Sequence, residues 1–423
     1  MRFVHDPLGT RLPVKLDSTS NGEFSPVPLD AAARAARYAA FDTVAHAAGK
    51  LNVSRRAYLV SLCGAAATLA AFDRVFAAGG ARGGRFSVPA AATFELAAAQ
   101  AAIGSKNEFI FDVQLHDVDP SGAWRQRAGP NAMRGLPNSN CGEPDHVRCF
   151  SSERLFKDVF LDSDTSMGVL SHVPGTVETN PLSREEAAAT KRLIDALDGT
   201  ERLLLHGRVH PNVPGELERM DAIAAANKLV GWKTYTQFGP KGGYWLDDEA
   251  GLAMIEKARK LGIRNICVHK GIPLGQAGIE YAGCRDVGAV AKRFPDMNFI
   301  VYHAGFDPAR QEGAHNAAKP SGVDTLIDSL REHGIAPNRN VYAELGSTWR
   351  FVMRKPDAAA HLLGKLLVHV GDANVLWGTD SIWYGSPQDQ IQAFRAFEIT
   401  REFQDQFGYP ALTPERKHNI FGL

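Results

Sequence analysis

The sequence predicts an α/β protein, a TIM-type (β/α)8 barrel with an N-terminal extension and a long, lid-like loop after its first strand. Three observations predict it. From Phe109 onward, short apolar runs alternate with amphipathic runs of helical period, the pattern of βαβ units on a parallel sheet. Eight such apolar runs fall within about 315 residues, the size of a barrel with insertions. A doubly wound open sheet would want a glycine-rich phosphate turn after the first strand, and the sequence has none there.

The strand candidates are 109–116, 166–173, 202–209, 231–236, 265–271, 298–305, 341–347 and 374–381. Between them lie helical runs such as SREEAAATKRLIDAL, DEAGLAMIEKARKLG and GVDTLIDSLREHG. The first strand leads into a polar, Pro- and Gly-containing stretch, HDVDPSGAWRQRAGPNAMRGLPNSNCGEPDHVRCF, placed as a lid over the top face. The barrel is assigned to 108–423, with 81–107 leading into it and 1–80 as the extension.

Within the extension, Arg55 and Arg56 precede an apolar run from Tyr58 to Phe72, and Ala77, Ala78 and Gly79 follow. This resembles a twin-arginine export signal. On that reading the enzyme is periplasmic and residues before about Gly80 are removed. Otherwise the run is an apolar helix packed on the barrel and the protein is cytoplasmic. The run is too short for a comfortable membrane span, so no stable membrane insertion of the mature domain is expected.

Lys+Arg and Asp+Glu both number 47, which gives no electrostatic case for nucleic-acid binding. The expected partner is a small molecule, and homo-oligomerisation is left open. Five cysteines without C-x-x-C spacing exclude a disulfide scaffold or a thiolate zinc centre. Cys141 and Cys149 could pair in an oxidising compartment or stay free.

Polar residues collect at the strand ends. Gln114 and His116 end strand 1, Arg208 and His210 strand 3, His269 and Lys270 strand 5, His303 strand 6 and Asp380 strand 8, while Lys233 and Glu344 lie in strands 4 and 7. The carboxyl ends of barrel strands meet on one face, and His with Asp is a ligand set a Zn2+-like ion accepts. Arg208, Lys270 and Arg350 would form a cationic rim for an acidic substrate. Trp232, Tyr235, Trp245, Trp349 and Trp383 would line an aromatic pocket.

These motifs carry a resemblance. FDVQLH (111–116), GWK (231–233), CVHKG (267–271), YHAG (302–305), LWGTDSIW (376–383) and KHNIFGL (417–423) resemble, in order, the motifs of the amidohydrolase superfamily. The similar branch contains metal-dependent decarboxylases, hydratases and lactonases. The resemblance implies a single divalent ion, Zn2+ first and Mn2+ second, held by His116, His269 and Asp380, with Gln114 either a weak ligand or a neighbour that supports the ligands. It implies catalytic roles for Asp380 and His303, and substrate contacts from Lys233, Arg208, Lys270, Glu344 and Trp383. Lys233 could instead be carbamylated and bridge two ions. Gln114 stands where the family has a histidine, and an amide oxygen is a poorer ligand than imidazole. Metal-assisted hydrolysis is the leading expectation. Non-oxidative decarboxylation, a metal-free lactonase and a non-catalytic binding barrel are its rivals.

Overall fold

The structure is a computed structural model that describes residues 11–16, 29–128, 141, 143–176 and 179–422. Its centre is an eight-stranded parallel sheet in sequential order. The strands are β1 (Phe111–Leu115), β2 (Met167–Leu170), β3 (Leu203–Arg208), β4 (Leu229–Tyr235), β5 (Asn265–His269), β6 (Asn298–Tyr302), β7 (Val341–Glu344) and β8 (Val375–Leu376). Backbone hydrogen bonds from Val113 N–H to Trp377 O (3.1 Å), His116 N–H to Ser381 O (2.7 Å) and Asp380 N–H to Gln114 O (3.1 Å) draw the last strand to the first. Seven of the predicted apolar runs contain one of these strands, and the run 231–236 overlaps the eighth, β4, which starts two residues earlier at Leu229.

The helical runs also fold as helices, among them Arg184–Asp198, Glu249–Lys260 and Asp324–His333. The first starts on a capping box: the Ser183 hydroxyl accepts from Glu186 N–H and the Glu186 carboxylate from Ser183 N–H. Such local agreement between sequence and element is what fixes the strand ends, and with them the site, to one face.

The extension is part of the fold. Helix Leu62–Ala78 packs on helix Ala31–Lys50 and on the outer helix Gln388–Ala396. A short strand, Gly84–Phe86, pairs antiparallel with Phe397–Ile399 and joins the extension to the barrel. Leu59, Leu69 and Phe72 are buried in the same core as the barrel's outer layer. Arg55 and Arg56 are exposed on a short helix capped by Ser54. The apolar run read as an export signal is therefore packed as core, and its removal would uncover that face. Among the described residues no helix is long and apolar enough to cross a membrane.

Residues 129–140 and 142 of the expected lid lie outside the described residues. The rest of that loop packs as a small apolar cluster with Val118, Trp124, Val147, Phe150 and Trp383. Cys141 and Cys149 form a disulfide within it.

Candidate active site

The residues that matter sit where each strand ends, and the backbone there is bent into unusual conformations. Among the described residues eight non-glycine positions have positive φ, and five of them border the site: Ile272, His303, Ala304, Ser347 and Asp380. Left-handed backbone costs about 1–3 kcal/mol for such residues, so it persists only where surrounding contacts enforce it. Asp112 on β1 supplies one such contact. Its carboxylate accepts from Thr379 N–H (3.0 Å) and from the Thr379 hydroxyl, which fixes the turn that presents Asp380. Burial pushes Asp112 up to about 8, against those hydrogen bonds. A Cβ at Gly378 in the same turn would lie 1.7 Å from Glu344 Oε1 and would displace that carboxylate.

Two side-chain pairs form the centre. His116 Nε2 lies 3.0 Å from Asp380 Oδ1. His303 Nε2 lies 3.1 Å from His269 Nδ1. Their outer nitrogens all face backbone carbonyls: His116 Nδ1 to Ser171 O (2.8 Å), His269 Nε2 to Ile272 O (3.0 Å) and His303 Nδ1 to Gly346 O (2.6 Å). A carbonyl oxygen only accepts, so each outer nitrogen carries a proton. A neutral imidazole has one proton, so each inner nitrogen is then a lone pair. His116 would aim a lone pair at a carboxylate, and His303 would aim one at another lone pair. Both arrangements are repulsive unless a proton or a cation sits in each gap.

Asp380 is held on its other side by the Ser347 hydroxyl, which also meets Tyr384 Oη at 2.7 Å. Glu344 receives His303 N–H (3.0 Å) and Gly346 N–H (2.5 Å). Burial pushes Glu344 up to about 7, opposed by His303 and by Lys233. Gln114 lies beside both members of the first pair. Its Nε2 donates to Asp380 Oδ1 (3.1 Å) and lies 3.3 Å from His116 Nε2. A carboxylate takes a donor, so the amide oxygen is turned away. That oxygen is buried without a hydrogen-bond partner among the described residues.

The donors fit a divalent ion in kind. Ligating histidines commonly donate their other N–H to a backbone carbonyl, the arrangement His116, His269 and His303 already have. They stand as two pairs, however, and among the described residues no three His, Cys, Asp or Glu are gathered around one point.

The remaining expected groups divide. Trp383 stacks on His116 with ring centres 5.4 Å apart, and Tyr235 stacks on His269 at 4.9 Å. Lys233 is buried below them in the barrel, its ammonium 3.4 Å from the Tyr302 ring centre. The cationic rim gives way to internal ion pairs. Lys270 is buried against Asp286 (3.0 Å), Arg208 reaches Gly175 O and Glu216, and Arg350 reaches Asp389 and Lys15 O. Trp232 and Trp349 are core residues, and Trp245 lies beside Lys270 and Arg285. Sequence reading passed over Asp112, Ser171, Ser347 and Tyr384. Only Asp112 carried a signal, since it shares a strand face with Gln114 and His116.

His116, His269, His303 and Asp380 are all fully buried. The cavities of about 790 and 380 Å3 lie outside this cluster, one under the lid loop and one between helices Arg184–Asp198 and Glu216–Ala226.

The protein is a parallel (β/α)8 barrel that presents histidines and an aspartate at the ends of β1, β5, β6 and β8. Residues 152–423 match the amidohydrolase family, and the chain belongs to it. The matched span starts beyond β1, so it does not include Gln114 and His116. No curated protein matches the chain significantly. Among solved structures it is similar to an uncharacterized TIM-barrel protein from Bordetella bronchiseptica, at 15% identity over 74% of this chain and 95% of that one, with a TM-score of 0.50. It is also similar to 5-carboxyvanillate decarboxylase from Sphingomonas paucimobilis (15%, 75% and 97%, TM-score 0.45). An amidohydrolase from Burkholderia multivorans with bound zinc is a third (14%, 74% and 96%, TM-score 0.41). At these identities the likeness is one of fold alone.

Proposed function

We propose that the protein is a metal-dependent hydrolase that opens an amide, ester or lactone bond in a small carboxylated substrate. The observation that carries this reading is the proton count above: with their outer nitrogens protonated, His116 faces Asp380 and His303 faces His269 through lone pairs, and a cation between them relieves that opposition. His116, His269 and Asp380 would hold the ion. When bound, Zn2+ or Mn2+ would lower the pKa of a water toward ~7 and polarise a carbonyl. A site built around positive charge suits an acidic substrate. Asp380, oriented by Ser347 and Gln114, takes a proton at its carboxylate. His303 holds a proton at Nε2 and gives it to the leaving group. Trp383 and Tyr235 wall the centre on two sides and exclude water.

The proton on His303 Nε2 also favours a second reading, in which it is delivered to a ring carbon that has lost carbon dioxide. A screen of carboxylated aromatics, lactones and amides, with and without Zn2+ or Mn2+, tests both. The reading expects turnover that chelator abolishes and metal restores, and product analysis for released carbon dioxide separates the two reactions. Turnover unaffected by chelation would overturn the metal-dependent reading.

A further inference from the structure

His210 follows β3 on the catalytic face and is fully buried, yet among the described residues no hydrogen-bond partner reaches either of its ring nitrogens. Buried imidazoles are ordinarily hydrogen-bonded, so a ring with both nitrogens open marks a place where something else binds. The turn it begins repeats the pattern. Asn212 gives its Nδ2 to Phe238 O at 2.8 Å, and its Oδ1 is buried with no partner. Around these groups the wall is aromatic. The His210 ring lies 4.3 Å from Phe238 and 6.1 Å from Tyr235, and Tyr235 in turn stacks on His269. One aromatic wall therefore runs from the histidine pair to His210.

We infer that His210 and Asn212 form a substrate subsite for an uncharged hydroxyl group, beside the catalytic centre. This deepens the proposed function and rests on it. The chemistry selects the group. A neutral imidazole offers one N–H and one lone pair, and Asn212 Oδ1 offers lone pairs only. A hydroxyl accepts from the His210 N–H and gives its one proton to one of the two acceptors. A carboxylate has no proton to give and would leave two acceptors unmet. Burial, with Arg208 and His172 nearby, holds His210 well below the usual histidine range, so its ring stays neutral.

The test titrates the full chain and its His210→Phe and His210→Gln variants with phenol, cyclohexanol, toluene and benzoate. The ring-carbon protons of His210 are followed by NMR, and bulk binding is followed in parallel. Phenol and cyclohexanol should bind wild type at least about tenfold more tightly than toluene or benzoate, the scale of one buried polar group satisfied or left open. The preference should vanish in His210→Phe and persist in part in His210→Gln, which keeps the assay informative should the Phe variant fold poorly. Equal preference in all three proteins would overturn the subsite. So would an ordered water that bridges His210 and Asn212 and that phenol does not displace. Metal content and turnover are read separately on the same samples. A wild-type protein that shows no hydroxyl preference while metal and turnover are intact rejects only the subsite. Retained preference without metal or turnover rejects only the hydrolase reading.

Discussion

At residue scale the chemistry turns on where protons can sit. Gln114 donates to Asp380, and a histidine in its place would instead offer a nitrogen lone pair toward His116 and Asp380. Gln114→His should raise Zn2+ affinity about tenfold, comparable to other changes around a bound metal. Metal titration of both proteins at one pH and salt checks this, and equal affinity would show that position 114 does not address the ion. His303→Gln keeps a polar side chain but cannot carry the acid proton. Turnover should fall about 10²–10⁴-fold while metal occupancy stays at the wild-type level. Loss of metal in this variant would make His303 a ligand rather than an acid.

At element scale, two segments pack against the barrel around the buried site. The extension contributes Leu59, Leu69 and Phe72 to the core, each worth about 1.5–3 kcal/mol when buried. Against a total stability of about 5–15 kcal/mol, a chain starting at Gly80 should be insoluble or melt far below wild type. Unchanged thermal unfolding would show the extension to be dispensable and revive its reading as a removable signal. The lid is the second segment. The disulfide closes the stretch from Cys141 to Cys149, and the next residue, Phe150, packs 5.2 Å from Trp383, which stacks on His116. A short loop closed this way gains about 2–3 kcal/mol by chain entropy. Reduction should speed proteolysis between residues 141 and 149 while the global melting temperature moves little. Identical cleavage rates would mean that packing alone holds the lid.

At the scale of the whole molecule, the barrel was legible because strand and helix periods alternate so regularly after Phe109. The burial of His116, His269, His303 and Asp380 at the strand ends, as two contacting pairs, follows from a pattern the sequence shows, since strand ends share a face. The roles of the cations were not legible. Whether Lys270 points to a substrate or to Asp286 depends on a partner 16 residues away on the next helix, and no local pattern records that choice. The same holds for Arg350, whose partners Asp389 and Lys15 lie far off in sequence. Nor does an apolar run such as Tyr58–Phe72 reveal what covers it, since an export signal and a packed helix share a composition.

The packed helices also set a pH limit. Burial lowers His361 to about 4, with Lys365 adding to the shift, and Phe403, Phe407 and Tyr409 surround its ring. Its folded pKa lies below the unfolded value of about 6.5, so the unfolded chain takes the proton first. The stability His361 supports is complete above about pH 6.5 and is lost as pH falls toward 4. His361→Gln should remove that slope, and wild type should lose melting temperature relative to the variant across this window. A constant difference would show that His361 does not titrate on unfolding.

The proposed function requires that β1, β5 and β8 bring His116, His269 and Asp380 to one divalent ion. Metal analysis of Zn2+-reconstituted, desalted protein tests it most directly, with wild type, His116→Ala, His269→Ala and Asp380→Asn compared at equal fold content. Close to one equivalent is expected in wild type and little in each variant. Wild-type protein that retains no metal, or variants that retain as much as wild type, would contradict it.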